Sequence, residues 1–127
     1  MKFRVWDKET NHLDYCVRVT STDKYEKVEV LDALSDWREI KENYYVIMRN
    51  TGLKDKKGNE IYEGDICAYY YRDVAEYCEV KWSEKYRTWI IEGDSDIEFL
   101  RDFAKHSVFE IVGNIYEDSE LLDKVEE

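Results

Sequence analysis

Thr51-Gly52-Leu53-Lys54-Asp55-Lys56-Lys57-Gly58-Asn59-Glu60-Ile61-Tyr62-Glu63-Gly64-Asp65-Ile66 is dense in turn residues and runs straight into Cys67-Ala68-Tyr69-Tyr70-Tyr71. Gly52, Gly58 and Gly64 recur every six residues, beside Thr51, Asn59 and Asp65 respectively. Glycine next to such residues marks places where the chain reverses with positive φ. Gly64-Asp65 before Ile66 reads as the entry to a strand, with the Asp side chain bonding nearby backbone. Ile66–Tyr71 is aromatic and apolar with no helical spacing, so it reads as that strand.

Downstream, Glu76–Trp82 and Tyr86–Ile91 continue the pattern, with turns at 72–73 and 83–85. Cys78, Val80 and Trp82 share one face, as do Trp89 and Ile91. An acidic connector leads to a last strand over Val108–Tyr116, where Gly113 signals a bulge or a close backbone approach. Asp118 or Ser119 is placed to cap a terminal helix carrying Leu121, Leu122 and Val125. Upstream, two short strands flank a loop at Lys8–Leu13, using Phe3 and Val5 and then Tyr15, Val17 and Val19. A polar turn at Thr20–Lys24, a strand at Lys27–Leu31 and a strand at Tyr44–Met48 follow. Ser35 or Asp36 is positioned to cap a short helix with Trp37 and Ile40 on one face.

Short strands at intervals of roughly 8 to 12 residues predict a mainly β fold, α+β at most. The expected architecture is a small antiparallel SH3-like or related barrel, with a short N-terminal β region and a short C-terminal helix. At 127 residues the chain suits a single domain over 1–127, with a possible subdivision into an N-terminal β extension (1–50) and a barrel plus helix (51–127). Apolar residues make up 43%, enough for a core, and 4 Trp, 11 Tyr and 4 Phe favour sheet.

No stretch is long and apolar enough to span a bilayer, and Met1–Asp7 lacks the apolar run of a signal peptide. Cys16, Cys67 and Cys78 are odd in number and widely spaced, which is no disulfide framework. These features lead to an expectation of a cytoplasmic protein with free thiols.

Charge is distributed unevenly. Of the net −11, residues 93–127 carry −8, with 3 Lys/Arg against 11 Asp/Glu. A field of that sign repels phosphate backbones, and direct nucleic-acid binding is disfavoured. No cofactor is implied. His12, His106 and the cysteines show no zinc-ligand spacing. Asp94-Ser95-Asp96-Ile97-Glu98 opens like a calcium loop, yet Phe99 stands where the loop needs Gly and Lys105 where it needs Glu. It reads as a solvated acidic loop, with no metal site. Cys67, Cys78, Ser83, Ser95 and Ser107 lack the flanking glycines of a nucleophile elbow, so no catalytic residue is assigned and an enzyme is not expected.

Three blocks resemble the YopX family. They are Met1–Asp7, then Thr51–Asp55 through Gly58 and Glu60–Ile66, and finally Ile111-Val112-Gly113-Asn114-Ile115-Tyr116-Glu117 with Glu120-Leu121-Leu122. The blocks lie at both ends and in the middle, so the resemblance covers essentially the whole chain. Ser119 departs from a proline frequent in the family, and residues 30–50 show no match. The resemblance implies a small β-rich protein of phage or prophage setting in a bacterial cell, with no agreed biochemical activity.

Two features are left for function. On a strand, Tyr69 and Tyr71 share a face with Cys67, while Tyr70 joins Ile66 and Ala68. With the latter set on the core, Tyr69 and Tyr71 stand outside as interface anchors; otherwise they pack under a loop or the terminal helix. The other feature is the acidic stretch containing Asp94, Asp96, Glu98 and Asp102, either a solubilising surface or a mimic of phosphates. The expected role is therefore a non-enzymatic phage-type accessory protein that binds a host or phage protein, in its sharper form an acidic inhibitor of a nucleic-acid-handling defence enzyme. The alternative is a self-assembling homo-oligomeric module. Tyr69, Tyr71, Asp94, Asp96, Glu98 and Asp102 are the candidate contacts.

Overall fold

A computed structural model describes residues 2–71, 73–93, 97–104 and 109–122, excluding the side chain of Tyr71. The fold is mostly β, with 58% of the described residues in strands and 7% in helices, in antiparallel sheets. It divides into two compact units, residues 1–49 and 50–127.

In the first unit, β1 (Phe3–Asp7) lies between β2 (His12–Asp14) and the first part of β6 (Tyr45–Lys54). A second sheet pairs β3 (Val17–Ser21), β4 (Glu26–Leu31) and β5 (Trp37–Ile40). Val17 and Val19 stand opposite Val30 and Val28, so period-two alternation delivers four valines to one face. With Val5 and Ile40 they form the unit's core, backed by Tyr45 and Ile47.

The helix expected to start at Ser35 or Asp36 is not formed; the segment is strand β5. Asp32 decides this. Its Oδ1 accepts hydrogen bonds from the amides of Leu34 and Asp36, both 2.9 Å, and closes a tight turn in which Ser35 takes φ 66°. The chain reverses there, and Val28 pairs with Ile40 and Leu31 with Trp37. Four residues are too few to separate a period of 3.6 from a period of two. Once paired, Arg38 joins Ile40 on the inner face. Its Nη2 donates to Asp7 Oδ2 at 2.8 Å. Asp7 is completely buried, and its Oδ1 accepts from the Glu9 amide at 2.9 Å. A buried carboxylate is tolerated only with such partners.

In the second unit, β7 (Glu60–Tyr62) pairs with the end of β6. β8 (Asp65–Tyr71), β9 (Val74–Ser83), β10 (Thr88–Glu92), β11 (Ile97–Phe99) and β12 (Glu110–Asn114) form one sheet in the order β11-β10-β9-β8-β12, curled into a half-barrel. A four-residue helix, α1 (Leu100–Phe103), follows β11, and Ser119–Leu122 makes a 3₁₀ turn against β9. The core holds Ile61, Cys67, Cys78, Val80, Ile91, Leu100, Ala104 and Phe109.

Turn chemistry builds this unit as the sequence reading expected. Gly52, Gly58 and Gly64 all take positive φ. The Tyr62 amide donates to buried Asp65 Oδ2 at 2.8 Å, so the Asp of Gly64-Asp65 ties the turn before β8. Asp55 does the same between β6 and β7, accepting from the amides of Lys57 and Asn59 at 3.0 and 2.8 Å. The last strand is shorter than Val108–Tyr116 and shifts register between Ile111 and Gly113, the anticipated bulge. One part differs: the acidic connector contains strand β11 and helix α1. Where the terminal helix was expected, Ser119–Leu122 makes a 3₁₀ turn carrying Leu121 and Leu122, and Val125 lies outside the described residues.

Candidate interaction surfaces

The reactive side chains are disposed for packing. Cys67 and Cys78 are buried in the core. Burial pushes the Cys67 thiol well above its ordinary value, reinforced by Cys78, Asp65 and Asp55. Burial likewise pushes Cys78 up to about 12, partly offset by a hydrogen bond with the Cys67 backbone. Thiols held protonated in this way are poor nucleophiles. Cys16 is exposed. His12 is exposed and lies 3.9 Å from Asp14. Ser83 Oγ accepts the Tyr86 amide at 3.1 Å and so serves a turn. Ser95, His106 and Ser107 lie outside the described residues. Among the described residues no three potential metal ligands cluster.

The tyrosine run is split by the sheet. Tyr69 follows Cys67 onto the core face, where its ring stands 5.2 Å from that of Phe103. Tyr70 faces out, at 52% exposure, near the hairpin end that also carries exposed Val74. Tyr71 pairs with Val74 through the backbone. Period two left the choice of face open for a reason specific to β8. Asp65, Ile66, Cys67 and Ala68 are all buried, so both faces of its first half are covered and neither is marked as outer.

Of the acidic candidates, Glu98 is exposed on β11, an edge strand, and Asp102 is exposed on α1. The sheet and the helix that follows it place them on adjacent elements, while Asp94 and Asp96 lie outside the described residues. Beside Glu98, Ile97 is half exposed, and the Phe99 ring carries the Arg101 guanidinium at 5.1 Å. Glu79 and Glu92 stand directly opposite across β9 and β10, and Lys81 Nζ donates to Glu92 Oε1 at 2.6 Å. Burial, offset in part by Lys81 and aided by Glu92, holds the Glu79 carboxyl above the usual range.

Sequence reading missed the exposed aromatics of the first unit. The Arg18 guanidinium sits 4.0 Å over the Trp37 ring and also meets Glu29 at 3.2 Å. Leu34, in the turn before Trp37, is 82% exposed. The signal was present in the alternation of Arg18 against Val17 and Val19, but the helix expected at Trp37 hid it. Elsewhere in this unit, Lys8, Lys24, Glu26 and Glu42 line an open groove of about 520 Å³. Its balanced charges create no strong field for an ion. The Tyr45 hydroxyl donates there to Glu26 at 2.8 Å, and burial together with Glu26 pushes that phenol up to about 12.

A family model described as YopX protein matches residues 2–123. Among solved structures, protein EF1440 from Enterococcus faecalis is 25% identical, with a TM-score of 0.66 over 95% of this chain and 96% of that one. Protein yopX from Bacillus subtilis is 18% identical, with a TM-score of 0.68 over 96% of this chain and 98% of that one. No curated protein matches the chain.

Proposed function

The chain belongs to the YopX family, and from that premise we propose that it is a non-enzymatic, phage-type accessory protein of the bacterial cytoplasm that binds a basic protein surface through its second unit. One observation carries the reading. Residues 1–49 hold 9 Lys/Arg against 10 Asp/Glu, whereas residues 50–127 hold 10 against 20. Nearly all the excess charge therefore belongs to one unit. Glu76, Glu84, Glu98, Asp102 and Glu120 are exposed there with no ion pair among the described residues. Carboxylates displayed along a sheet and a short helix resemble a run of phosphates. The sharper form of the proposal is that they occupy the nucleic-acid groove of a host defence enzyme. Capture from host lysate at low and high salt tests it: a basic protein held at low salt and released at high salt supports it, and recovery of no basic protein sinks it.

A second reading, self-assembly, is favoured by the exposed Tyr70 and Val74 at the β8–β9 hairpin end and by Leu34 and Trp37 on the first unit. Sedimentation at micromolar concentration separates the two, since a strict monomer removes it.

A further inference from the structure

Cys67 and Cys78 have no part in the proposed binding role, yet their placement is unusual. They are direct cross-strand partners in β8 and β9, and both side chains enter one core cluster. Cys78 Sγ lies 3.5 Å from the Cys67 carbonyl oxygen. Residues directly opposite in an antiparallel pair have Cα atoms about 4.5 or 5.5 Å apart. Both values fall within the roughly 4.4–6.8 Å that a disulfide spans. Their Cβ atoms, about 4.5–5.5 Å apart in such pairs, need to approach by only about 1 Å.

We propose that Cys67 and Cys78 form a reversible cross-strand disulfide in response to low-molecular-weight disulfides, tying β8 to β9 at the centre of the second unit. One cysteine, as thiolate, attacks a sulfur of the oxidant, breaking its S–S bond and expelling one thiolate. The other cysteine, as thiolate, then attacks the protein sulfur of the mixed disulfide and expels the second. Two protein thiols are oxidised, one oxidant disulfide is reduced to two thiols, and the two protons pass to the departing sulfurs. Burial of both cysteines makes the first attack slow and confines it to conformers in which the hairpin has opened. The device thus ignores brief exposure and registers sustained oxidation, and a reducing cytoplasm resets it. Exposed Cys16 reacts far faster under the same conditions.

The test uses the full chain carrying Cys16→Ser, held folded with oxidised glutathione and then digested with trypsin. Arg72 lies between the two cysteines, so cleavage there places them on separate peptides. The expected product is a Cys67–Cys78 linked pair, a raised denaturation midpoint, and return of both on treatment with dithiothreitol. Two free thiols recovered after prolonged exposure, while the urea-unfolded chain oxidises, would overturn the proposal. So would glutathione retained on either cysteine without the link.

Discussion

Gly113 and Asp118 are in a contact that only glycine permits: a Cβ built on Gly113 would stand 2.6 Å from Asp118 Cγ and 2.8 Å from its Cβ. The Asp118 carboxylate is held there because its Oδ2 accepts the Asn114 amide at 3.1 Å. Gly113→Ala must therefore push a hydrogen-bonded side chain off the bulge, which should cost about 1–3 kcal/mol in urea denaturation. Combining it with Asp118→Ala should recover part of that loss. Equal stability of Gly113→Ala and the parent would show that the bulge adapts freely.

Asp7 and Arg38 set a pH dependence. Burial alone would raise the Asp7 carboxyl, but Arg38 and the Glu9 and Thr10 amides outweigh it and hold it below its ordinary value. Its folded value is depressed, so its contribution is full above the unfolded value near 4 and is lost as pH falls through the folded one. Arg38→Met strands a buried carboxylate and should lose about 2–3 kcal/mol at pH 7. The gap from the parent should narrow in acid, as pH falls through the depressed folded value and Asp7 takes a proton. A pH-independent gap in thermal denaturation would deny the pairing.

Glu79 should show the opposite sign. Its carboxyl is raised by burial and by facing Glu92. The charged form therefore strains the folded state, and stability improves as pH drops through the raised value. Glu79→Gln is expected to raise the midpoint at pH 7, with the advantage vanishing in acid. A variant less stable than the parent at pH 7 would mean that Glu79's attraction to Lys81 dominates.

Tyr69 and Tyr70 should part company although they are neighbours. Tyr69→Ala removes a ring from the core beside Phe103 and should destabilise by about 2–4 kcal/mol. Tyr70→Ala, at an outward position, should change stability by less than about 0.5 kcal/mol. If the second unit self-associates through the hairpin end, Tyr70→Ala is the variant that weakens the oligomer in sedimentation. Matching stability losses in both would refute the inward and outward assignment.

Charge reversal at Glu98 and Asp102 tests binding without testing folding. Both are exposed, so the double Lys variant should fold with unchanged melting. Association with a captured basic partner should slow, with a shallower salt dependence. Identical rates measured by surface plasmon resonance would move the contact elsewhere.

Much of the second unit was legible in its residues. Gly64-Asp65 specified a turn and Gly113 a bulge, because both are local backbone requirements that few other residues meet. The segment at Ser35–Ile40 was misread because its competing cap, Asp32, lies upstream and acts through a turn whose value depends on strand β4 being there to pair. The acidic candidates were legible only as charge. That Glu98 belongs to an edge strand depends on pairing with β10, far from any local signal.

The amino-acid order by itself determined a β protein punctuated by tight turns, with its negative charge gathered late in the chain. Those properties follow from φ preference, side-chain shape and formal charge, which each residue carries wherever it goes. Only the tertiary structure decided that Tyr69 turns inward and Tyr70 outward, that Arg38 reaches Asp7, and that Cys67 meets Cys78. Alternation along a strand names two faces without saying which one water will touch, and partners distant in sequence are chosen by register, a property of the assembled sheet.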